Sequence, residues 1–218
     1  MSRETVSIAV LVSGNGSNFQ AILDAVESGR IPDGKIVCLV SNKADAYALE
    51  RARKHNIPSI VLSHKDFPNR RAYDEALVKL LLEMNVTLVV LAGFMRILSE
   101  TMINAFPNAI MNIHPALLPS FPGLDAQKQA LEYGVRYTGC TVHFVDCGTD
   151  TGPVILQAVV PILGDDTIET LSKRIHGEEH RIYPEAVRLF CSGRLKIEGR
   201  RIQIEQNHIN LDSTKASC

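Results

Sequence analysis

Hydrophobic positions recur along this chain in two alternating rhythms. Val6–Val12 (VSIAVLV) is a continuous apolar run rich in β-branched residues, the pattern of a parallel strand covered on both faces. After it, Phe19, Ile22, Leu23 and Val26 fall on one stripe and predict a helix over 19–26. Strand-like runs at Lys35–Val40, Ser59–Leu62 and Val86–Leu91 then alternate with helical patterns over Ala46–His55 and Arg70–Met84. Strands alternating with helices imply right-handed crossovers and a parallel sheet. Ala109–Met111 leads into a further buried strand. It gives way to Pro115 and Pro119, which cannot continue a sheet, so the chain must leave as an ordered loop.

Beyond this point the rhythm changes. Ser120–Gly123 is a turn cluster and Ala126–Tyr133 a short helix. Thr138–Val145 and Val154–Val160 are strand-like and separated only by residues 146–153, too few for a crossover helix, so they should pair antiparallel. Asp166–Glu169 starts a helix running from Thr167 towards His180, which Pro184 either kinks or follows with a new helix ending near Phe190. From Lys196 the chain is polar, with a terminal strand at Arg201–Ile204 and a loose tail over Asn207–Cys218. The expected architecture is an α/β, Rossmann-like open twisted sheet, mostly parallel with an antiparallel edge near the C-terminal half. It forms a single domain over residues 1–195, divided at 108/109, with an extension at 196–218.

Composition narrows the class. The chain has 218 residues, 45% of them hydrophobic, enough for one large domain with a substantial core. A formal net charge of −1 without a long basic run argues against a sequence-independent grip on nucleic acid. Anionic small molecules stay open, since a helix end and one or two cations suffice for them. The five cysteines (Cys38, Cys140, Cys147, Cys191, Cys218) form an odd set with no CxxC pair, and Cys140 and Cys147 are too far apart for usual zinc spacing. The first apolar run is too short for a signal peptide, and no window approaches the ~20 apolar residues of a membrane span. A cytoplasmic, reduced protein is expected.

Four stretches carry candidate chemistry. Ser13–Asn18 (SGNGSN) lies between a strand end and a helix start, where free amides and the helix dipole attract an anion; Ser17 and Gln20 fit a capping box. Gly14 and Gly16 match the start of a dinucleotide fingerprint, but Phe19 stands where its third glycine belongs. The second strand also ends in Ser41–Asn42 without a carboxylate for a ribose, so a single phosphate fits better than a dinucleotide. A turn that only changes direction is the alternative. Ala92–Leu98 is unusually apolar for a loop, which fits a flat aromatic ligand or a loop folded into the core. Asn112 and His114, two apart at the end of a strand, present an amide donor and an imidazole to one side, suited to an oxyanion and a proton. Asp146 and Asp150 each read first as turn formers. His176 and His180 stand four apart, but Gly177 occupies the place of the acid in a zinc-binding HExxH helix, so no metal is expected.

SGNGSN, Leu91–Leu98 (LAGFMRIL), Asn112–Pro119 (NIHPALLP) and Asp150–Leu156 (DTGPVIL) occur in that order. Together they resemble the phosphoribosylglycinamide formyltransferase family, folate-dependent enzymes of purine synthesis, over Val6–Leu195. The asparagine–histidine–proline stretch and distal aspartate are shared with methionyl-tRNA formyltransferase and formyltetrahydrofolate deformylase. The first of these differs at the glycine loop and carries a C-terminal domain; the second carries an extra N-terminal one.

The resemblance implies transfer of a formyl group from 10-formyltetrahydrofolate, as co-substrate, to the amine of glycinamide ribonucleotide, by a monomer or homodimer, with neither nucleic acid nor membrane as partner. By the same resemblance, Gly16, Ser17, Asn18 and Glu179 would hold the ribonucleotide. Arg70, Met95, Arg96, Ile97, Leu98 and Asn112 would receive the folate, largely through backbone contacts to the pterin. His114, Asn112 and Asp150 would be catalytic. Residues 1–108 would then be the phosphate-binding half and 109–195 the catalytic and folate-binding half. Many members have histidine where this chain has Gln127, and some where it has Asp125. A hydrolase releasing formate from the same folate, or a catalytically silent nucleotide-binding module, are the alternatives.

Overall fold

The apolar runs build the middle of one sheet. The computed structural model describes residues 4–205. In it β1 (Val6–Val12), β2 (Gly34–Ser41), β3 (Ser59–Val61), β4 (Leu88–Leu91) and β5 (Ile110–His114) lie parallel, and β6 (Tyr137–Phe144) and β7 (Val154–Pro161) add antiparallel. The seven-stranded order is β3-β2-β1-β4-β5-β6-β7, so the direction of winding reverses between β1 and β4. Pro161 ends the outermost strand, where its missing N–H removes no bond from the sheet.

Helices cover both faces: α1 (Ser17–Glu27), α2 (Tyr47–Lys54), α3 (Arg70–Glu83), α4 (Glu100–Ala105), α5 (Ala126–Tyr133) and α6 (Ile168–Cys191). Side chains of β1 alternate between two apolar layers. Ile8, Val10 and Val12 pack with Phe19 and Ile22 of α1 and Ile175 and Tyr183 of α6, while Ala9 and Leu11 pack with Tyr73 and Leu77 of α3 and Met102 of α4. This two-sided burial is what a continuous apolar run requires.

Two local expectations need correction, one is met, and one element was not foreseen. The Ser17–Gln20 capping box does not form: Gly16 is the N-cap at φ 75°, with no side-chain cap bond. The cause is α2, since a Cβ on Gly16 would stand 2.5 Å from Ala48 Cβ. Pro184 opens no second helix, for α6 runs unbroken over its 24 residues with Pro184 inside. Its buried position beside Tyr183, whose hydroxyl lies 3.0 Å from the carbonyls of Leu91 and Met111, holds the helix against β4 and β5 despite the lost backbone bond. The six-residue α4 was absent from the sequence pattern because it spans under two turns. Arg201–Ile204 is β9 of a hairpin with β8 (Leu195–Glu198), and Ile197 and Ile202 of the hairpin pack on the core. The tail over Asn207–Cys218 lies outside the described residues. Among the described residues, no helix is long and apolar enough to cross a membrane.

Candidate active site

Ligands of open α/β sheets settle beyond the carboxyl ends of the strands, where the winding reverses. Here that edge carries the loops after β1, β4 and β5. The loop after β1 is braced from outside. Arg51 of α2 donates from Nε to the Asn15 carbonyl (2.9 Å), from Nη2 to Asn15 Oδ1 (3.0 Å) and from Nη1 to Gln20 Oε1 (3.2 Å). Ser13 donates to Asn42 Oδ1 at the tip of β2 (2.7 Å), so the place of a ribose-binding acid is filled by a structural amide. At the start of α1, Asn18 Nδ2 donates to Glu179 Oε2 of α6 (2.8 Å). Glu179 is 4% exposed, and Asn18 Oδ1 is buried without a partner. Gly16, Ser17, Asn18 and Glu179 are therefore brought together, leaving a buried carboxylate and an unpaired amide oxygen beside a helix N-terminus.

The apolar loop after β4 divides its side chains between two environments. Phe94 and Leu98 enter the core, whereas Met95 and Ile97 are 72% and 66% exposed. Its backbone is tied to the neighbouring loop, the Met95 amide donating to Ser13 Oγ (2.9 Å). The Arg96 guanidinium lies 5.0 Å from the centre of the Tyr73 ring, with Nε buried and unpaired. Arg70, Ile97 and Leu98 line a cleft of about 510 Å³ together with Cys147 of the loop between β6 and β7. Three of the six expected folate residues thus share a cleft with that loop, while Met95, Arg96 and Asn112 do not line it.

The strand β5 and its register with β6 place the remaining groups. Asn112 stands opposite His143, and His114 opposite Thr141. The pairs sit on one face because side chains alternate along a strand. His114 Nδ1 faces Asp150 Oδ2 at 3.3 Å, and His114 Nε2 faces the Phe121 carbonyl at 2.8 Å. Each ring nitrogen thus meets an acceptor, an arrangement satisfied in full by the doubly protonated ring. Thr141 Oγ1 donates to the Ala116 carbonyl (2.7 Å) and accepts from the Leu118 amide (3.1 Å), fixing the loop that leaves β5.

Asp150 reaches His114 because its own backbone is bent. It adopts φ 54°, tolerated by aspartate, and its Oδ2 also accepts from the Gly123 amide (2.8 Å). A Cβ on Gly152 would lie 1.8 Å from the Phe144 carbonyl, so only glycine lets this loop fold back against β6. Asp146 is the turn former expected of it, with Oδ1 accepting from the Gly148 amide (3.1 Å) and Thr151 Oγ1 (2.6 Å).

Sequence reasoning missed His143, 2% exposed and 3.3 Å from Asn112 Nδ2. Its position two residues after Thr141 on a strand was readable, but its pairing with Asn112 depends on register. The Phe121 carbonyl was invisible for the same kind of reason: it is backbone. Asp125 occupies the N-cap position of α5 in the left-handed conformation without a side-chain cap bond, and Gln127 follows in the first turn. His176 and His180 stack at 6.4 Å, and among the described residues no group of three metal-binding side chains forms.

Comparison with known proteins places the chain among its relatives. Residues 6–187 match the family model described as formyl transferase. The chain is 46% identical over 192 residues to phosphoribosylglycinamide formyltransferase of Escherichia coli, covering 88% of this chain and 90% of that protein. It is 51% identical over 197 residues to the trifunctional purine biosynthetic protein adenosine-3 of Drosophila pseudoobscura pseudoobscura; that match covers 90% of this chain but only 14% of the relative's length. Among solved structures, glycinamide ribonucleotide transformylase 1 of Symbiobacterium toebii is 55% identical with a TM-score of 0.91, over 93% of this chain and 95% of that one. A formyltetrahydrofolate deformylase of Pseudomonas syringae, 24% identical with a TM-score of 0.86, shares the fold.

Proposed function

The chain belongs to the formyl transferase family, and on that premise we propose that it transfers the formyl group of 10-formyltetrahydrofolate to the amine of glycinamide ribonucleotide, within purine synthesis. The observation that carries this reading is the His114–Asp150 pair (3.3 Å) at the carboxyl end of β5, in line with Asn112 on the same strand face. The names of the relatives supply the ribonucleotide acceptor, and the resemblance of the four motifs supplies the folate donor.

The chemistry follows from these groups. The ribonucleotide amine attacks the formyl carbon and the carbonyl oxygen gains negative charge. Asn112 donates a hydrogen bond to that oxygen, and the His114 imidazolium, held by Asp150, neutralises it at short range. Collapse of the tetrahedral intermediate breaks the bond to the folate nitrogen, which receives a proton through His114 as the attacking amine loses one. Delivery from Nε2 requires its bond to the Phe121 carbonyl to open first. Asn18 and Glu179, joined beside the N-terminus of α1, suit a ribose diol next to a phosphate held by the amides of residues 16–18. Arg70 and the 95–98 segment form the folate wall. The residues present supply acid–base and electrostatic catalysis, and the scheme needs no metal.

The test is absorbance-monitored loss of 10-formyltetrahydrofolate with and without glycinamide ribonucleotide, with formate measured in parallel. Transfer that depends on the ribonucleotide supports the proposal. Formate release independent of it makes the chain a hydrolase, and no turnover at all makes it a binding module.

A further inference from the structure

His143 lies within reach of two of the three catalytic groups and has no part in the scheme above. Its Nδ1 stands 2.8 Å from the backbone carbonyl of Phe144, and its Nε2 stands 3.3 Å from Asn112 Nδ2 and 3.7 Å from Asp150 Oδ1. A carbonyl oxygen only accepts, so Nδ1 must carry a proton. In the neutral ring the lone pair is then on Nε2, and of the two ends of the Asn112 amide only the nitrogen can donate to it. The reversed amide would set two acceptors against each other.

We propose that His143 is a positioning residue: as a neutral, Nδ1-protonated imidazole it fixes which way round the Asn112 amide stands. One N–H of Asn112 is spent on His143, and the second N–H of the same nitrogen is held in a set direction, free for the formyl oxygen. This rests on the formyl-transfer reading for its consequence but not for its geometry.

Two features support the neutral ring. His143 is 2% exposed, and burial disfavours its charged form, holding its pKa below the ordinary imidazole value. The charged and titratable groups around it are Asp150 and Asp146 on the following loop and His114 on β5; the two carboxylates favour protonation and His114 opposes it. The nearer carboxylate oxygen, at 3.7 Å, is beyond hydrogen-bond distance. The register between β6 and β7 also shifts between Val142 and His143, a bulge of the kind that re-aims side chains beside active sites.

Two variants and one spectrum test this. His143→Met keeps the volume and removes the acceptor; His143→Gln offers an amide oxygen near the place of Nε2. The Met variant is expected to lose about 10–50-fold in kcat, less than the ~10²–10³ of losing the donor itself, with both KM values within about twofold. The Gln variant is expected to recover most of that loss. Nitrogen-15 NMR of the wild-type imidazoles at pH 7 is expected to show His143 Nε2 unprotonated and Nδ1 protonated. A Met variant at wild-type kcat overturns the proposal, as does an equal loss in both variants with raised KM, or a protonated Nε2. The spectrum reads the tautomer even where the wild type fails to transfer formyl, so failure of the positioning role and failure of the functional reading remain separate results.

Discussion

The loop after β1 and the cluster after β5 share one edge of the sheet but are assembled by opposite means. The first is six consecutive residues, Ser13–Asn18, braced by Arg51, Ala48 and Asn42. The second gathers side chains of Asn112, His114, His143 and Asp150 with backbone groups of Phe121 and Gly123, none of them adjacent. A phosphate is a fixed charge that a helix end and neighbouring amides can hold. A transition state that gains charge at one atom needs donors placed from several directions. In the proposed function, binding is therefore concentrated in sequence, whereas chemistry is concentrated only in space.

That contrast can be broken by separating the two kinds of loss. Asn112→Ala and His114→Ala should each cut kcat by at least about 10²–10³ while calorimetric affinity for glycinamide ribonucleotide stays within about twofold. Near-normal turnover in either would refute the catalytic cluster. Asn18→Ala, which leaves the buried Glu179 carboxylate unpaired, should do the reverse, raising the KM for the ribonucleotide by about tenfold with kcat little changed. A loss in kcat alone would erase the distinction between the regions.

Smaller effects sharpen it. Thr141→Val strips the Leu118 amide and the Ala116 carbonyl of their partner and should lower stability by about 1–3 kcal/mol in urea unfolding. An unchanged urea midpoint would show that the loop after β5 holds itself. The smallest effect concerns His180, whose pKa burial holds below the ordinary value of about 6.5. Glu179 opposes that shift, and His176 and Arg51 reinforce it. Above pH 6.5 both folded and unfolded states are neutral at this ring. As pH falls through that value, the unfolded chain takes a proton the folded one refuses, so stability declines. His180→Gln should remove part of the decline in urea midpoint between about pH 7.5 and 5.5; an identical slope would exclude the ring as a contributor.

The same contrast explains what was legible in the sequence. Parallel strands announce themselves as continuous apolar runs, and the antiparallel edge follows from the short 146–153 gap. The glycine loop was visible as a motif, although the reason for Gly16 was not, since it lies in Ala48 of a later helix. Asn112 and His114 were readable as neighbours on one face. Asp150 looked like any turn residue, because its approach to His114 depends on a left-handed backbone and on Gly152 packing against the Phe144 carbonyl. His143 could not be assigned a partner, as strand register is a property of the folded sheet. Side chains that act through position escape a one-dimensional reading.

One hydroxyl has a wider consequence. Ser13 Oγ donates to Asn42 beyond β2 and accepts from the Met95 amide beyond β4 (2.9 Å), so a single atom fastens three strand tips at the place where the winding reverses. In the function proposed above, the segment on one side of this rivet receives the nucleotide and the segment on the other the pterin. Neither loop can shift without tugging on its neighbour, so two ligands bound as proposed would meet in a shared frame whose spacing is set before either arrives.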